Sequence, residues 1–310
     1  MSRATLIYNP VAGRNPARRE GEIQAAAGIL QQAGFVLDVR PTTGPSSARD
    51  LALAAARDGS RAVIVCGGDG TLNEVVNGLV GSACPLAILP GGTANIAAKD
   101  LGLPDDPVSA ARQLARAVLR RIGLGRVTWG PAGQGAAPLP RYFLSVAGVG
   151  FDAYVVHRLE WDFKASLGVL AYGWESIRQA LRYGFPSFVC HGEREERRAT
   201  LAVFLLTEIY AGWFHLAPGA SLLDGRLRAC LFEGRHAWRY ALYAVAAALR
   251  RHLKLSDVRL AEDAPFACSA PGARRRIYVE VDGELAGQLP ATFEWVPDAL
   301  TLLLPERRWR

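Results

Sequence analysis

Three short turns rich in glycine and small polar residues are the segments of this chain best suited to chemistry. They run from Asn9 to Gly13 (NPVAG), from Gly67 to Thr71 (GGDGT) and from Pro90 to Asn95 (PGGTAN). Glycines without a Cβ let backbone N–H groups approach phosphate oxygens, and a helix that begins at such a turn adds a favourable field. The three turns together predict a phosphate-binding site. Because no GxxxxGK[ST] pattern is present, the site is not a P-loop.

Asp69 lies within the second turn, where its carboxylate would repel a bound phosphate. A magnesium ion between the two, bound directly or through water, would turn that repulsion into attraction. The alternative is an Asx-type turn closed by the Asp69 side chain. Glu74, in the first turn of the following helix, is equally open to two interpretations, a cap of that same helix or part of the metal's shell.

The elements that must position these turns alternate in the first 126 residues. Strands are predicted at Ala4–Tyr8, Val36–Arg40, Ala62–Cys66 and Leu86–Leu89, and helices at Pro16–Ala33, Ser47–Arg57, Leu72–Leu79, Ala94–Leu101 and after Asp106-Pro107. Such alternation is typical of parallel crossovers. We therefore predict an N-terminal parallel α/β domain over residues 1–126, with its phosphate-binding turns at the carboxyl ends of the strands, where ligands bind.

The pattern changes after Val127 to short strands bounded by Gly, Asp or Pro. They are predicted at Tyr142–Val146, Ser187–His191, Thr200–Thr207, Leu227–Phe232, Ile277–Val281, Thr292–Val296 and Ala299–Leu303. Two helical patterns, at Lys164–Tyr183 and His236–Leu253, interrupt them. This arrangement predicts an antiparallel all-β domain over residues 127–296.

Two Asp-Gly pairs lie in the second domain, Asp224-Gly225 and Asp282-Gly283. An Asp-Gly pair is first of all a hairpin signal. Asp282 and Glu284 have a second interpretation: if the predicted phosphate site serves phosphoryl transfer to an alcohol, either carboxylate is a candidate acceptor for the hydroxyl proton. The residues alone do not choose between a turn and a general base.

Composition and charge narrow the class of protein. The 310 residues carry a net charge of +7, which favours an anionic partner, but no DNA- or RNA-binding motif is present, so nucleic acid is not expected. The five cysteines lie far apart, which argues against a zinc site or a disulfide framework. The most apolar stretch, Ala241–Leu249, is far short of the roughly 20 residues that cross a bilayer, and the N-terminus has no signal-peptide pattern. We expect a cytoplasmic protein that touches a membrane without crossing it.

The motifs resemble those of a known family. Gly67–Gly78 (GGDGTLNEVVNG) and Leu89–Asn95 (LPGGTAN) resemble the paired signatures of the diacylglycerol kinase catalytic domain. Ala147–Asp152 (AGVGFD), Ala217–Leu227 (APGASLLDGRL) and Val281–Glu284 (VDGE) resemble later segments of the same family, in the same order. The resemblance is to the bacterial soluble lipid kinases. It implies an N-terminal α/β domain, a C-terminal β-sandwich and a last segment, residues 297–310, that returns to the first domain.

The resemblance also implies site residues and an activity. Nucleotide contacts fall on Asn9, Pro10, Val11, Ala12, Gly13, Thr42, Gly68, Asp69, Gly70, Thr71, Leu72, Asn73, Glu74 and Thr93. A structural magnesium site falls on Ser221, Asp224 and Arg226, with backbone carbonyls as the donors of Ser221 and Arg226. Asp282 or Glu284 is implied as the base, in a turn that faces the γ-phosphate across a cleft between the domains. The implied reaction transfers the γ-phosphate of ATP, with Mg²⁺, to a lipid hydroxyl, diacylglycerol first among the candidates.

Two departures from the family pattern bear on activity. Relatives commonly carry an aspartate in the strand that leaves the α/β domain, where this chain has Gly123, and a second aspartate where Leu223 precedes Asp224. A catalytically lapsed nucleotide- or lipid-binding protein is therefore an open alternative. A NAD kinase is another, since that class also uses a GGDGT turn, although the PGGTAN turn is typical of the lipid kinases. No motif identifies the lipid substrate. The oligomeric state is also open, and a homodimer is one of the alternatives.

An aromatic stripe begins just before the first helical pattern of the second domain and continues into it, beside Lys164 and Arg178. It consists of Trp161, Phe163, Leu167, Tyr172 and Trp174. Core packing explains such a stripe, and so does a helix that lies on a membrane. The second interpretation, with the positive net charge, predicts peripheral binding to anionic membranes.

Overall fold

The computed structural model describes residues 2–13, 15–114, 116–130, 139–162, 183–262, 264–272 and 275–306, which fall into two compact units. Unit 1 comprises Met1–Leu124, Ser221–Gly225 and Val296–Arg310, and unit 2 comprises Gly125–Ala220 and Arg226–Trp295. The predicted helix over 164–183 lies outside the described residues except for Tyr183, and so does the aromatic stripe from Phe163 onward, with the side chain of Trp161. No helix in the described ranges is both long and apolar enough to span a membrane.

Unit 1 is built on parallel strands joined by helices. In chain order its elements are β1 (Ser2–Tyr8), α1 (Pro16–Gln32), β2 (Phe35–Pro41), α2 (Ser47–Arg57), β3 (Ala62–Gly67), α3 (Asp69–Leu79), β4 (Leu86–Pro90), α4 (Ile96–Asp100), α5 (Pro107–Leu114), the beginning of β5 (Ala117–Trp129) and the end of β18 (Ala291–Pro305). The strand order is β2-β1-β3-β4-β18, with all neighbours in this path parallel. The predicted parallel α/β domain class is confirmed.

Helices cover both faces of this sheet. On one face, Ile23 and Leu30 of α1 pack with Leu114 of α5 against Leu6 and Ile64 of the strands. The alternate strand residues point the opposite way and are also buried, and α2 and α3 lie on that side. Since β2 and β3 flank β1, the chain reverses its direction across the sheet between β1 and β3. Ligands of such sheets bind at this switch point.

Unit 2 is antiparallel. Its elements are the end of β5, β6 (Arg141–Phe143), β7 (Val146–Gly150), α6 (Phe151–Asp162), β8 (Phe188–His191), β9 (Glu196–Ala199), β10 (Leu201–Leu205), β11 (Ile209–Tyr210), β12 (Phe214–His215), β13 (Arg228–Phe232), α7 (Ala237–Ala248), a 3₁₀ turn (His252–Lys254), β14 (Val258–Ala261), β15 (Phe266–Ser269), β16 (Tyr278–Val281), β17 (Glu284–Gln288) and the start of β18. One sheet has the order β14-β13-β10-β7-β16-β17, and β18, β15, β8 and β9 pair in a second.

Phenylalanines join the two sheets of unit 2. Phe204 of β10 stacks on Phe293 of β18 with ring centroids 3.9 Å apart, and its ring lies 5.5 Å from that of Phe266 in β15. The neighbouring β10 residue Val203 packs on the other face, with Tyr240 of α7. This is the predicted antiparallel sandwich.

The last strand differs from the prediction. The sequence indicates two strands, Thr292–Val296 and Ala299–Leu303, separated by Pro297-Asp298, but the structure has one strand from Ala291 to Pro305. Asp298 adopts a left-handed backbone conformation (φ 49°) inside it, and Arg121 donates to its carbonyl. A locally irregular residue thus interrupts the pattern without ending the strand.

Two helical glycines provide a matched test of the packing of α2 on α3. A Cβ at Gly28 in α1 would meet nothing within 4 Å, whereas one at Gly78 in α3 would overlap the carbonyl oxygen of Arg49 in α2. Gly28→Ala should raise the free energy of unfolding by about 0.5–1 kcal/mol because alanine favours helix. Gly78→Ala should lower it by about 1–3 kcal/mol because α2 must shift. Urea unfolding measures both, and a stabilising Gly78→Ala would contradict the described contact.

Candidate functional site

Strand β3, which pairs with β1 on one side and with β4 on the other, brings the three glycine-rich turns together. The N–H of Asn9, just after β1, donates to the carbonyl of Cys66 at the end of β3 (2.9 Å). The N–H of Gly91, just after β4, donates to the carbonyl of Gly67 (2.9 Å). The turns that follow β1 and β4 are therefore both anchored on the end of β3, at the switch point of the sheet.

Beyond these bonds the turns touch through their backbones. A Cβ on Gly92 would overlap the Cα of Gly68, and a Cβ on Gly13 would overlap the carbonyl oxygen of Gly91. Gly13 also has φ +81°, which favours glycine. The sequence requires glycine here because any side chain would push the turns apart.

Side chains of the predicted residues bridge the turns. Asn9 accepts the N–H of Val11 through Oδ1 (3.0 Å) and donates through Nδ2 to the hydroxyl of Thr71 (3.1 Å). Thr42, at the end of β2, donates its N–H to the carbonyl of Tyr8 (2.8 Å) and so lies beside the same edge. Thr93 is exposed. By contrast, the side chains of Leu72 and Asn73 are buried within α3.

Arg19 is a residue of this site that the sequence reasoning missed. No motif contains Arg19, yet it is only 6% exposed. Its Nη2 donates to the carbonyls of Ala12 (3.1 Å) and Gly91 (2.5 Å), and Nη1 pairs with Glu22 (2.8 Å). The signal was its place in α1, since residue 19 is in helical register with the buried Ile23.

Asp69 begins α3 and is tied to the next turn. Its Oδ1 accepts the N–H of Ile96 at the start of α4 (2.8 Å). Burial raises the pKa of Asp69, and the N–H groups of Ile96, Asn95 and Ala97 oppose that rise. With Gly67, Gly68 and Asn95, Asp69 lines a small hollow at the end of β3 and β4. The carboxylate therefore holds two turns together at the place where a phosphate would bind.

Glu74 has a role that neither interpretation from the sequence included. Its Oε1 accepts the N–H of Ser46 (2.8 Å) and its Oε2 the N–H of Ala48 (3.0 Å). It therefore caps α2 rather than its own helix, in the manner of an N-terminal carboxylate.

The turn predicted as a metal site is divided between the units. Ser221 and Asp224 belong to unit 1, where Asp100 of α4 accepts the Ser221 hydroxyl (3.0 Å) and the N–H of Leu222 (3.0 Å). Asp224 accepts the N–H of Ser221 (3.3 Å), so two carboxylates approach one residue. Arg226 belongs to unit 2, where its guanidinium pairs with Glu262 (3.2 Å).

Magnesium fits this donor set only with help from the backbone and water. Within the described ranges, no three His, Cys, Asp or Glu side chains gather closely enough to hold a metal ion. Asp100 and Asp224 supply two carboxylates, and Mg²⁺ is commonly held by one or two carboxylates with several waters. Asp100 was not among the predicted residues.

In unit 2, Asp282 and Glu284 have different surroundings. Both oxygens of Asp282 accept backbone N–H groups, from Leu144 (3.0 Å), Ser145 (3.0 Å) and Val146 (2.9 Å). Glu284, whose side chain is 40% exposed, forms an ion pair with Arg141. Asp282 thus fixes the start of β7, whereas Glu284 is open to solvent.

A buried pair of carboxyl groups lies directly behind this turn. Asp152 of α6 and Glu280 of β16 are both buried, and a Cβ on Gly148 would overlap each of them. Oε2 of Glu280 accepts the N–H of Gly283 within the turn (2.7 Å). Burial, and next the neighbouring Asp152, raise the pKa of Glu280 well above its usual range. Burial raises the pKa of Asp152 as well, so the two buried groups favour a shared proton over two negative charges.

Comparisons with known proteins cover the whole chain. Residues 3–127 match the diacylglycerol kinase catalytic domain, and residues 145–304 match the YegS C-terminal NAD kinase beta sandwich-like domain. The chain is 28% identical to a diacylglycerol kinase of Bacillus subtilis (strain 168), over 99% of this chain and 98% of the relative. It is 30% identical to a diacylglycerol kinase of Mycobacterium tuberculosis (strain ATCC 25618 / H37Rv), over 98% and 96%. A crystal structure of a candidate diacylglycerol kinase from Bacillus anthracis str. Sterne superposes with a TM-score of 0.77 at 22% identity, covering 98% of each chain.

Fold and comparisons together define a two-unit protein with a parallel α/β unit of the diacylglycerol kinase catalytic type and a YegS-like sandwich. The chain belongs to the diacylglycerol kinase-like family. The suspected resemblance is thereby confirmed. The names of its relatives support a kinase, and membership of a kinase family implies use of a nucleotide.

Protonation of Glu280 predicts a pH dependence of stability. When folding raises the pKa of a carboxyl group, the group's full contribution to the stability of the folded protein is present below the unfolded pKa, here 4.5. That contribution is lost as pH rises toward the folded pKa. The free energy of unfolding should therefore fall by at most about 1.4 kcal/mol per pH unit from this group as pH rises above about 5. Urea unfolding at several pH values should show that the free energy of unfolding of Glu280→Gln changes less with pH than that of the wild type.

Glu294→Gln, at a half-buried glutamate paired with Arg126, is the control and should keep the wild-type slope. Parallel profiles for wild type and Glu280→Gln would contradict the shared proton.

Proposed function

We propose that this chain is an ATP- and Mg²⁺-dependent lipid kinase that transfers the γ-phosphate to the hydroxyl of diacylglycerol. The observation that carries the proposal is the meeting of three glycine-rich turns at the switch point of unit 1, at the start of α3. Backbone N–H groups and the positive end of a helix suit phosphate. The choice of diacylglycerol as the acceptor is supported by the relatives that are named diacylglycerol kinase.

Three kinds of residue serve the nucleotide in this proposal. The turns at Asn9–Gly13, Gly68–Thr71 and Thr93 offer donors to the phosphates. Arg19 adds a buried positive charge and fixes two of the turns through their carbonyls. Asp69 would hold the magnesium ion that neutralises the phosphates, while continuing to cap α4 through Oδ1.

A second magnesium ion is proposed for the turn that Asp100 and Asp224 flank. When bound, it would relieve the repulsion between the two carboxylates and stabilise the 221–225 segment in unit 1. Its role is structural.

The proposed base is Glu284, and the proposed role of Asp282 is to hold the turn. Asp282 already accepts three backbone N–H groups, which hold its carboxylate in place and satisfy its lone pairs. Glu284 is more accessible, and its ion pair with Arg141 orients it. A positioned carboxylate can take the proton of the attacking hydroxyl.

The acceptor is tested with radiolabelled ATP over a panel of hydroxyl compounds in mixed micelles. Diacylglycerol, a sphingoid base, ceramide, phosphatidylglycerol and NAD⁺ form the panel, and we expect diacylglycerol to receive the label. Label on NAD⁺ alone would select the NAD kinase alternative. Nucleotide binding without transfer to any acceptor would select a lapsed enzyme and implicate Gly123, which is buried in β5 without a carboxylate.

The roles of the two acids predict different results for their amide variants. Glu284→Gln should lower kcat by about 10²- to 10⁴-fold, the usual contribution of a positioned base, and should leave the melting temperature unchanged. Asp282→Asn should lower the melting temperature as well, because an amide offers one acceptor oxygen where the carboxylate offers two. Glu294→Gln, another glutamate paired with arginine in unit 2, serves as the control. Full activity of Glu284→Gln would place the base elsewhere.

A further inference from the structure

Helix α7 of unit 2 is apolar on two opposite faces. Its inner face packs Tyr240, Tyr243 and Ala247 into the core against β13 and its neighbours. Its outer face exposes Trp238 and Val245, which are 63% and 58% accessible. A surface helix ordinarily presents polar residues to water, so a second apolar face indicates a partner.

The exposed residues form one narrow ridge. At 100° per residue, Trp238, Leu242, Val245 and Leu249 fall within an arc of about 60°, on the side opposite Tyr243. With a rise of 1.5 Å per residue the ridge is about 16 Å long. All four side chains are exposed. This is the spacing of a helix that lies lengthwise along an apolar surface.

The charged residues of the α7 segment itself have one sign. Between Gly234 and Ser256 the sequence has five basic residues and no acidic residue. Arg239 and Arg250 are engaged by Asp257 and His215, whereas Arg235, Arg251 and Lys254 are exposed at the two ends of the helix. The rim thus complements a surface that carries negative charge.

A second aromatic side chain belongs to the same part of unit 2. The β11–β12 hairpin exposes Trp213 (61%), and the hairpin is linked to the end of α7 by Arg250 Nη2 and His215 Nε2, which are 2.9 Å apart. Tryptophan suits the boundary between water and lipid, because its ring is apolar and its N–H is polar.

We propose that the outer face of α7 docks on an anionic lipid bilayer, with the ridge in the boundary between headgroups and acyl chains and the arginine and lysine rim at the phosphates. A second copy of the chain is a poorer partner, because a two-fold interface would bring two cationic rims together. The proposal rests on the proposed lipid kinase function for its biological sense, since the substrate lies in a membrane. Its test does not depend on turnover.

The test is sedimentation of the full chain with vesicles in the absence of nucleotide. Vesicles of phosphatidylcholine are compared with vesicles that also contain phosphatidylglycerol. Leu249→Glu should reduce binding to the anionic vesicles about tenfold or more, since it replaces an apolar contact by a charge. Its matched control is Leu119→Glu in unit 1, the same change at a residue of similar exposure (66%), which should bind like wild type.

Arg251→Glu should reduce binding about fivefold or more. Arg57→Glu, on α2 of unit 1, changes the net charge equally and should have a smaller effect.

Each outcome decides the proposal once circular dichroism has shown that the variants are folded. Equal binding of Leu249→Glu and wild type would reject the surface, as would equal losses in Leu249→Glu and Leu119→Glu. If light scattering shows that the wild type is a dimer and that Leu249→Glu dissociates it, the face belongs to a second copy and the lipid proposal is overturned.

Phosphorylation of a short-chain diacylglycerol dispersed in water is measured in parallel. Its absence, with vesicle binding intact, would reject the proposed kinase function and leave the docking surface standing.

Discussion

The close backbone approach of three turns is the constraint on which unit 1 depends. Gly68 and Gly92 touch without intervening side chains, and Gly13 lies against the carbonyl of Gly91. Such packing brings carbonyl dipoles together, which is unfavourable unless donors satisfy them. Arg19 supplies those donors from α1, with charge-assisted hydrogen bonds to the carbonyls of Ala12 and Gly91 that are worth about 1.5–3 kcal/mol each. One buried guanidinium therefore makes the approach stable and adds positive charge to the place where phosphate is proposed to bind.

The acidic residues of the motifs follow a common rule. Asp69 accepts the N–H of Ile96, Glu74 accepts those that begin α2, and Asp282 accepts three at the start of β7. Each ties its own segment to a neighbouring one. The sequence left structural and chemical roles open for these acids because both use the same property, a pair of acceptor oxygens. A carboxylate that already caps a helix is also held rigidly, which is what a metal ligand or a base requires.

The sequence predicted what local pattern controls and missed what only tertiary packing creates. Helix Ser47–Arg57 was predicted with the observed bounds, and the parallel order follows from strand–helix alternation. The glycine-rich turns were identifiable because glycine at a strand end has a steric reason. Arg19 was not, since an arginine near the start of a helix is usually solvated, and its partner Gly91 lies 72 residues away in the sequence. The buried pair of Asp152 and Glu280 was invisible for the same reason: only the pairing of β7 with β16, adjacent to α6, brings the two acids together.

The nature of the proposed acceptor gives a physical reason for an apolar surface on a kinase of this family. A diacylglycerol molecule that left its bilayer for water would lose about 0.8 kcal/mol for every methylene exposed, so its full extraction before reaction would be prohibitive. An enzyme that remains at the interface avoids that cost, because only the hydroxyl end has to reach the protein. Exposed apolar residues cost the unbound protein little, since much of any protein surface is apolar. A ridge such as that of α7 can therefore be kept in water and still provide affinity for the membrane, with the cationic rim selecting surfaces of opposite charge.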